Sequence, residues 1–524
     1  MTPATINRGK ILWVDDEIDL LKSHILYLEE KGYEVLGVTN GRDGIAFVTE
    51  QRFDLILLDE MMPGQDGITT LKEIKEQKPE IPVIMITKNE EEWLMNEAIS
   101  EKIANYLTKP VNPSQIFLAC KKILEEENIL EEKAASSYVQ DFKEIESRLS
   151  GELTMDEWWE LYLKLVQWQL EMDQRKDLDL KPILNEQLGK CNHHFVQFIE
   201  ENYKTWINSS PQERPTLSPD VLDTFVMPHL ANGKKVFFIV IDCFRLDQML
   251  TILPEIRKLY DVELDYHTSI LPTATPFSRN ALFSGKTIDQ IKRTDPKRWD
   301  SMKSDETSMN RYEEDFLNKA LVRRNLKDCS VNYHKITVGR EGQQYAKHSK
   351  EFMDVSLLSL VVNFVDILTH YRSESAVLRE MIPDDSGYRS IVKTWFLNSW
   401  LFDVLNVFSK SDHVIIVTSD HGSIRVQDCA QVVGDRTTST GIRYKYGKKL
   451  NCSDKHALVI KNPADYCLPE MEPGTNYLIA KENAYFVYPT QFNKYKKLLY
   501  NSYQHGGISL EEMLVPTITL TTKG

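Results

Sequence analysis

Residues 53–67 read FDLILLDEMMPGQDG, an apolar run that ends in two acidic residues and continues into a turn with proline and glycine. An uninterrupted apolar run of this length, bounded by turn residues, is typical of a strand buried on both faces of a parallel sheet. Helical patterns separate it from four similar runs within residues 10–125, which read ILWVDDE, YEVLGV, IPVIMIT and ANYLTKP. This alternation predicts an α/β domain of the doubly wound (βα)5 type, with its functional residues at the carboxyl ends of the strands.

The length of 524 residues exceeds what one hydrophobic core usually serves and predicts three domains. Residues 1–125 form the (βα)5 domain, residues 126–220 a helical connector, and residues 221–524 a large α/β domain with a central, mostly parallel sheet. In the connector, apolar residues recur at helical spacing, and Thr154 with Glu157 predicts a capping box. The segment SSPQERPTLSP marks its end.

The composition excludes several classes of function. The formal net charge is −15, so the overall field repels a nucleic acid duplex and we expect no direct binding to duplex DNA. The longest apolar tract, residues 357–368, contains Ser359, Asn363 and Asp366 and is shorter than the roughly 20 residues of a membrane-spanning helix. The 7 cysteines form no CxxC pair, which is typical of reduced thiols. We therefore expect a cytoplasmic protein without membrane contact, whose metals are held by aspartate and histidine.

Acidic residues follow the apolar runs of the first domain. Asp15 and Asp16 end the first run, and Asp59 ends the third. Carboxylates gathered at one sheet edge repel one another unless a divalent cation lies between them, and ligation by oxygen alone suits Mg²⁺. The motifs VDDE, LLDEMMPGQDG, MIT and YLTKP resemble those of the receiver domains of bacterial response regulators, over the whole length of this domain.

The resemblance to receiver domains implies a role for each residue of the set. Asp59 is implied to be phosphorylated by a partner histidine kinase. Mg²⁺ is implied to be bound by Asp16, Asp59 and the backbone carbonyl of Met61. The residues of the acidic pocket and the switch are, by the same resemblance, Asp15, Thr87, Tyr106 and Lys109. Negative charge added at Asp59 would shift the equilibrium between two conformations of the receiver surface and promote a homodimer.

The third domain carries two similar strand signals. KKVFFIVID ends at Asp242, and DHVIIVTSDH ends at Asp420 and His421, so each buried strand places acidic or imidazole groups at its carboxyl end. Asp366 and His370 are four residues apart and would lie on one face of a helix. Such residues are candidate ligands of a metal.

In chain order, the candidate metal ligands of the third domain are Asp242, Asp366, His370, Asp420, His421 and His505. Three aspartates and three histidines suit a pair of Zn²⁺ ions. This ordered set, with the segment SILPTATPFSRNALFSG, resembles the alkaline phosphatase superfamily, in particular its nucleotide pyrophosphatase/phosphodiesterase branch and the PglZ domain. The resemblance implies one Zn²⁺ bound by Asp366, His370 and His505, and another bound by Asp242, Asp420 and His421.

The same resemblance implies a threonine nucleophile within LPTATP, and two threonines are candidates. Thr275 precedes Pro276, a favoured first residue of a helix, so Thr275 is predicted to be the N-cap, where an attacked phosphate would also bind. Thr273 is the alternative. Arg279 and Asn280 are possible contacts of the substrate phosphate, and a structural salt bridge or cap is an equal interpretation of either.

A basic segment, RYKYGKK at 443–449, interleaves tyrosines with positive charge. This pattern suits contact with a single-stranded nucleotide chain, although a solvated loop is the favoured interpretation.

The order of receiver, helical connector and PglZ-type domain resembles the PorX-type response regulators of Bacteroidota, which are associated with the type IX secretion system. The first hypothesis is a zinc-dependent phosphodiesterase that is controlled by phosphorylation and acts on nucleotides or short oligonucleotides. The alternative is a non-catalytic, zinc-containing regulator that acts through protein contacts, such as contacts with a sigma factor or another transcription regulator. Control of catalysis and control of dimerisation alone are both compatible with the sequence.

Overall fold

The computed structural model describes residues 8–88, 103–175, 180–302, 309–434, 439, 441–490 and 492–523, except for the side chains of residues 125–135. The chain divides into two compact units, Met1–Asp141 and Phe142–Gly524. The predicted third domain and most of the predicted connector therefore belong to one unit.

The first unit contains a parallel sheet of five strands in the order β2-β1-β3-β4-β5, which confirms the predicted doubly wound fold. Its strands are β1 (Lys10–Val14), β2 (Glu34–Val38), β3 (Leu55–Asp59), β4 (Val83–Thr87) and β5 (Asn105–Thr108). The helices that begin in it are α1 (Lys22–Glu30), α2 (Gly41–Glu50), α3 (Gly67–Gln77) and α4 (Pro113–Arg148). The helix predicted between IPVIMIT and ANYLTKP falls on residues 89–102, outside the described residues.

Side chains of the central strands alternate between two hydrophobic cores, one on each face of this sheet. In β1, Leu12 and Val14 belong to one core, and Ile11 and Trp13 belong to the other. Uninterrupted apolar runs produce this arrangement because both faces of a parallel sheet are covered. Asp59 is the last residue of β3, so the packing of both cores holds the backbone that presents its carboxylate.

The helix α4 is 36 residues long and runs through the boundary predicted between residues 125 and 126. Residues 114–150 contain neither glycine nor proline, so no residue of this stretch favours an end of the helix before Gly151. The structure instead divides the chain between Asp141 and Phe142.

The predicted helical connector is confirmed by α5 (Met155–Gln174) and α6 (Lys181–Asn208). Thr154 and Glu157 form the predicted capping box at the start of α5. Trp158 of α5 is buried, and its ring packs edge-on against Phe195 of α6 at 5.4 Å between centroids.

The second unit is built on a sheet of six strands in the order β7-β18-β10-β6-β9-β8. Strands β10, β6, β9 and β8 are parallel, whereas β18 is antiparallel to β10 and to β7, so the predicted sheet is confirmed as a mixed, mostly parallel one. The strands of this unit are β6 (Val236–Ile241), β7 (Tyr260–Thr268), β8 (Val331–Ile336), β9 (Leu357–Val362), β10 (Val414–Thr418), β11 (Ile424–Arg425), β12 (Asp428–Gln431), β13 (Tyr444–Lys448), β14 (Ala457–Ile460), β15 (Thr475–Ala480), β16 (Ala484–Val487), β17 (Tyr503–Gln504) and β18 (Leu514–Thr522).

Helices cover both faces of the six-stranded sheet. Phe237 and Ile239 of β6 belong to one core, and Val236 and Phe238 belong to the core on the other face. The remaining helices are α7 (Met227–Ala231), α8 (Leu246–Leu259), α9 (Thr275–Ser284), α10 (Ile288–Thr294), α11 (Pro296–Met302), α12 (Glu313–Arg323), α13 (Gly339–His348), α14 (Phe364–Glu374), α15 (Ala376–Met381), α16 (Asp385–Leu397), α17 (Trp400–Phe408), α18 (Phe492–Leu499) and α19 (Leu510–Met513). Among the described residues, no helix has the length and apolar character needed to cross a bilayer.

Candidate functional site

Three neighbouring parallel strands of the six-stranded sheet, β10, β6 and β9, end side by side. Asp242 directly follows β6, Asp420 lies shortly after β10, and Asp366 lies in the first turn of α14, which follows β9. Since the carboxyl ends of parallel strands meet at one edge, the fold brings together three carboxylates that are distant in the sequence.

Asp242, Asp420 and His421 form the first group of candidate metal ligands. One ligand atom of each lies within 4.8 Å of the others, and all three residues are buried. In Asp420, Oδ1 accepts hydrogen bonds from the backbone N–H groups of Cys243 and His421. Its Oδ2 is buried and has no hydrogen-bond partner in the described part of the chain. An orphaned carboxylate oxygen beside two other ligands fits a bound cation.

The orientation of His421 leaves one ring nitrogen for a metal. Its Nδ1 lies 3.0 Å from the carbonyl oxygen of Gly422, which can only accept, so Nδ1 carries a proton and Nε2 is the nitrogen that would bind a metal. That Nε2 lies 3.8 Å from Asp242 Oδ1 and 3.8 Å from Asp420 Oδ2. Burial raises the pKa of Asp242 well above its usual range, even though the charge of Arg279 lowers it. A cation would relieve this crowding of negative charge.

Asp366, His370 and His505 form the second group, in which the ligand atoms again lie within 4.8 Å of one another. Asp366 Oδ1 is 3.4 Å from Nε2 of His370 and 3.6 Å from Nε2 of His505. Within the described ranges, Asp366 Oδ1 and His505 Nδ1 are buried without a hydrogen-bond partner. Two orphaned atoms in one group of three also fit a bound cation.

In the second group, the protonation of Asp366 and His505 suits metal binding, whereas His370 would release a proton to a bound metal. Burial raises the pKa of Asp366, but the nearby His370 lowers it more, and the net direction is downward. The carboxylate of Asp366 raises the pKa of His370, against the effect of burial. Burial and the neighbouring His421 bring the pKa of His505 well below its usual value, so this ring is neutral near neutral pH. A metal binds to ionised carboxylates and neutral imidazoles.

The two groups adjoin, because the rings of His421 and His505 are stacked with their centroids 4.4 Å apart. All six predicted ligands thus lie together, in the two predicted groups of three. Each group combines carboxylate and imidazole, a donor set that fits Zn²⁺. The identity of the metals stays a prediction.

Thr275 is the first residue of α9, and the N-cap is Ala274. The prediction of Thr275 as the N-cap is wrong by one residue, because Ala274 has extended backbone and its carbonyl accepts the first helical hydrogen bond, from Ser278. The Thr275 hydroxyl oxygen lies 3.0 Å from His421 Nε2 and 3.3 Å from Asp242 Oδ1. This hydroxyl therefore faces the first group of ligands.

Thr273, the alternative nucleophile, is fully buried. Its hydroxyl donates to the carbonyl of Gly507 at 2.8 Å and accepts the N–H of Gly506 at 3.2 Å. Both hydrogen bonds hold the loop that follows His505. Of the two candidates, the structure places Thr275 beside the ligands and gives Thr273 a role in the loop.

Arg279 and Asn280 are both buried on α9. Nη1 of Arg279 lies 2.5 Å from Asp242 Oδ2, and its Nε lies 2.6 Å from Glu313 Oε1. The amide nitrogen of Asn280 donates to two backbone carbonyls. Arg279 therefore lies next to the candidate site, and the side chain of Asn280 is engaged by backbone carbonyls. A contact of either residue with substrate stays a prediction.

A cleft of about 620 Å³ opens onto this site. Thr275, His370 and His505 line it together with apolar side chains that include Tyr444 and Leu498. A cleft of this size with a few polar groups at one end accommodates a nucleotide-sized ligand.

The first unit has its own acidic site. Oxygens of Asp15, Asp16 and Asp59 lie within 4.8 Å of one another, and Asp16 is the exposed member. Nζ of Lys109 lies 2.9 Å from Asp15 Oδ2 and 2.8 Å from Asp59 Oδ1. Three carboxylates against one ammonium group leave an excess of negative charge, and an all-oxygen ligand set fits Mg²⁺.

The other predicted residues of this unit lie on neighbouring elements. Thr87 ends β4, next to β3, and its buried hydroxyl donates to Glu60. Tyr106 lies on β5, half-buried, and Met61 follows β3 with a side chain that is 59% exposed. Their roles in a phosphorylation switch stay predictions.

Three family models match the chain. Residues 221–520 match the "BREX system PglZ alkaline phosphatase-like domain", which is more than half of the chain. The chain belongs to the PglZ family. Residues 11–121 ahead of the PglZ domain match the response regulator receiver domain, and residues 128–207 match the PorX response regulator linker domain. The protein thus combines a response regulator receiver, a PorX-type linker and a PglZ output domain.

Curated relatives are similar to part of the chain. The transcriptional regulatory protein ResD of Bacillus subtilis is 39% identical over 118 residues, which is 22% of this chain and 49% of that protein. The alkaline phosphatase synthesis regulator PhoP of the same organism is 32% identical over 163 residues, 31% of this chain and 66% of that protein. The chain therefore spans about half and about two thirds of the lengths of these relatives.

Solved structures match the same part. A CheY-like receiver domain protein from Methanospirillum hungatei has 29% sequence identity and a TM-score of 0.22, over 23% of this chain and 95% of that one. A receiver domain protein from Clostridium thermocellum has 31% identity and a TM-score of 0.22, over 23% and 98% of the two chains.

Sequence reasoning missed two residues that support the PglZ site from outside the two groups of ligands. Arg443 and Glu512 form a fully buried ion pair, with Nε and Nη2 of Arg443 2.8 and 2.7 Å from the two carboxylate oxygens. The prediction of a solvated loop at 443–449 is wrong, because Tyr444–Lys448 is strand β13, paired with β15. The tyrosines at every second position were the available signal, since this spacing is typical of a strand.

We predict that Asp59→Asn stabilises the metal-free receiver at neutral pH. Burial raises the pKa of Asp59 to about 6, against the opposing effect of Lys109. An acid whose pKa is raised on folding stabilises the fold at low pH, and this contribution is lost as the pH rises from about 4 to about 6. The variant lacks this dependence, and Lys109 retains Asp15 as its partner.

Calorimetry of the receiver transition, from pH 4 to pH 8 without divalent metal, measures this effect. The melting temperature of the wild type should fall between pH 4 and pH 8, relative to that of Asp59→Asn. Added Mg²⁺ should restore wild type and leave the variant unchanged. Parallel curves for the two proteins would contradict the prediction.

Proposed function

We propose that this protein is a two-component response regulator with a zinc-dependent phosphodiesterase as its output. The observation that carries the proposal is the position of the Thr275 hydroxyl, 3.0 Å from His421 Nε2 and 3.3 Å from Asp242 Oδ1, beside two adjoining groups of metal-ligand type. A hydroxyl that lines a cleft beside such groups is the arrangement that nucleophilic phosphoryl transfer requires.

In the proposal, one Zn²⁺ is held by Asp366, His370 and His505, and the other by Asp242, Asp420 and His421. When bound, the two ions lower the pKa of the attacking hydroxyl and stabilise charge on the attacking and leaving oxygens. The orphaned oxygens of Asp366 and Asp420 support this assignment, because a cation would satisfy both.

The residues of the chain then perform a double displacement. The oxygen of Thr275 forms a bond to phosphorus while the bond from phosphorus to one alcohol breaks, and the hydroxyl proton ends on the departing alcohol. Water cleaves the phosphothreonine in a second step, which releases a phosphate monoester and restores the hydroxyl. Thr275 lies at the N-terminus of α9, where the positive end of the helix dipole favours a phosphate, and Arg279 next to Asp242 adds positive charge near the transferred group.

We further propose that a cognate histidine kinase phosphorylates Asp59, with Mg²⁺ on Asp16, Asp59 and the Met61 carbonyl. Lys109 lies 2.8 Å from Asp59, where it can neutralise a phosphoryl oxygen. Thr87 and Tyr106 transmit the effect of the added charge to the receiver surface. Two copies of the chain associate through this surface. Asp15, buried beside Lys109, completes the acidic pocket.

The match of residues 128–207 to the PorX linker supports a biological setting for the proposal. We propose that the protein is a cytoplasmic regulator of type IX secretion in Bacteroidota and that its substrates are nucleotides or short oligonucleotides. A sigma factor or another transcription regulator is the proposed protein partner.

Metal analysis and a chromogenic assay on the purified protein test the enzyme. We expect about two zinc ions per chain, measured by mass spectrometry, and hydrolysis of a bis-nitrophenyl phosphodiester. Protein with zinc that hydrolyses no diester, yet retains a regulator in a pull-down, would replace the proposal with the alternative of a non-catalytic zinc-containing regulator.

We predict that His370→Ala lowers the zinc content from about two ions to about one and abolishes diester hydrolysis. His370 belongs to the second group alone, and the first group keeps its three ligands. His348→Ala is the matched control, because His348 is exposed and pairs with Glu351 on the surface. Two ions retained in His370→Ala would remove this residue from the metal site.

A further inference from the structure

Helix α6 of the linker contacts the PglZ domain with a buried stripe that contains two polar residues. Asn192, Val196, Ile199 and Tyr203 are buried and follow the spacing i, i+4, i+7, i+11, so they lie on one face of the helix. Buried polar groups need hydrogen-bond partners, because an unpaired one costs free energy. The partners of Asn192 and Tyr203 therefore show what this face of α6 holds in place.

The hydroxyl of Tyr203 holds the segment that carries the candidate nucleophile, residues 269–275 (the nucleophile segment). It accepts the backbone N–H of Leu271 at 2.8 Å, and among the hydrogen bonds of the described residues this N–H has no other acceptor. Leu271 lies four residues before Thr275. The ring of Tyr203 is itself stacked on that of Tyr466, with the centroids 6.2 Å apart. A side chain of the linker thus fixes one end of the nucleophile segment.

Asn192 holds the end of the loop that begins at the candidate ligand His505, residues 505–510 (the His505 loop). Its side-chain oxygen accepts the N–H of Leu510 at 2.8 Å, and its amide nitrogen donates to Glu511 Oε2 at 3.0 Å. Leu510 is the first residue of α19, so its N–H has no acceptor within the helix. Asn192 supplies that acceptor and fixes the far end of the His505 loop.

The start of α19 also contacts the first group of candidate ligands. The backbone N–H of Gly422, which follows His421, donates to the carbonyl of Glu512 at 3.1 Å. The two backbones approach so closely here that a Cβ on Gly422 would overlap the carbonyl oxygen of Glu511. A displacement of α19 would therefore move His421 as well as His505.

We infer that α6 of the linker is part of the catalytic scaffold, in which Tyr203 positions the nucleophile segment and Asn192 positions the His505 loop. The inference deepens the proposed phosphodiesterase function and rests on it. Both residues act through a backbone N–H of a segment that carries a nucleophile or a ligand. Since a displacement of about 1 Å can cost about 10²-fold in rate, the two hydrogen bonds control activity without contacting the reacting atoms.

Tyr203→Phe tests the position of the nucleophile segment. The variant keeps the ring against Tyr466 and removes the acceptor of the Leu271 N–H. We expect kcat for bis-nitrophenyl phosphate to fall about tenfold to 10²-fold, with KM and zinc content close to those of wild type. A residue that only stabilised the fold would change the melting temperature and leave the kcat of the folded enzyme unchanged.

Tyr260→Phe is the matched control. The hydroxyl of Tyr260 is buried and also bonds to a backbone group, because it donates to the carbonyl of Leu405. Strand β7 begins at Tyr260 and is parallel to β10, since β18 is antiparallel to both. Tyr260 therefore lies at the edge of the sheet opposite the candidate site. This variant should lower the melting temperature and keep the kcat of wild type.

Asn192→Asp tests the position of the His505 loop. The variant keeps an acceptor for the Leu510 N–H and places a second carboxylate against Glu511, where like charges repel. We expect the affinity of the second group for zinc, measured by competition with a chelator, to fall about tenfold or more. The double variant Asn192→Asp with Glu511→Gln should restore it, because amide and carboxylate then face each other with their positions exchanged. Glu511→Gln alone keeps an acceptor for Asn192 and should bind zinc like wild type.

The outcomes separate the role of the linker from that of the enzyme. A lower kcat in Tyr203→Phe but not in Tyr260→Phe, with zinc affinity restored in the double variant, supports the inference. Equal kcat in the two tyrosine variants overturns it, as does zinc affinity that is unchanged in Asn192→Asp or not restored in the double variant, while the enzyme stands. If wild type with zinc hydrolyses no diester, the proposed function fails, and the zinc competition still tests Asn192.

Discussion

Thr275→Ala is expected to lower kcat/KM for bis-nitrophenyl phosphate by at least about 10³-fold while about two zinc ions remain bound. Loss of a nucleophile removes the covalent step, and what remains is the catalysis that positioning and charge provide. The Thr275 hydroxyl faces His421 and Asp242 but serves no other part of the fold among the hydrogen bonds described, so folding should be little affected. Steady-state kinetics with metal analysis of the same sample measures both quantities.

Two conservative variants serve as controls. Thr275→Ser keeps a hydroxyl and should retain a substantial part of the activity. Thr273→Ser keeps the hydrogen bonds to Gly506 and Gly507 and should be close to wild type. If Thr275→Ala stays active and Thr273→Ala does not, the nucleophile has been assigned to the wrong threonine.

Arg443→Met is expected to lower the free energy of unfolding of the second unit by about 3 to 5 kcal/mol, because it leaves Glu512 as an uncompensated buried charge. Arg443 and Glu512 are both fully buried, and Glu512 also accepts the N–H of Gly507 at 2.9 Å. This network holds the loop after His505, so the variant should also bind less zinc at the second group. Urea unfolding followed by circular dichroism measures the loss.

A matched surface pair and a double variant isolate the buried charge as the cause. Lys448→Met, on the strand β13 that directly follows Arg443, breaks an exposed pair with Glu472 and should cost less than about 1 kcal/mol. Arg443→Met with Glu512→Met should be more stable than Arg443→Met alone, since no buried charge remains. Equal losses of the free energy of unfolding in Arg443→Met and Lys448→Met would show that the buried pair contributes no more to stability than the exposed pair.

Local pattern predicted the elements well where both faces of a strand are buried. The runs that end at Asp59, Asp242 and shortly before Asp420 are strands at the positions their apolar residues indicated. The same reasoning failed at 443–449, where charged residues alternate with tyrosines. The polar composition of this segment favoured a loop, although it forms a strand. It also placed the N-cap one residue late, at Thr275 instead of Ala274, since extended backbone at Ala274 is a property of the incoming chain.

The sequence alone determined the classes of the domains, because buried strands are local patterns, and the resemblance of its ordered motifs to the alkaline phosphatase superfamily supplied the six candidate ligands. Tertiary structure alone decided which residues meet. The stacking of His421 on His505, the contact of the Thr275 hydroxyl with His421 and the buried pair of Arg443 with Glu512 all join segments far apart in the chain. Such contacts depend on the order of strands in the sheet and on how loops close over their ends, and a linear pattern contains neither.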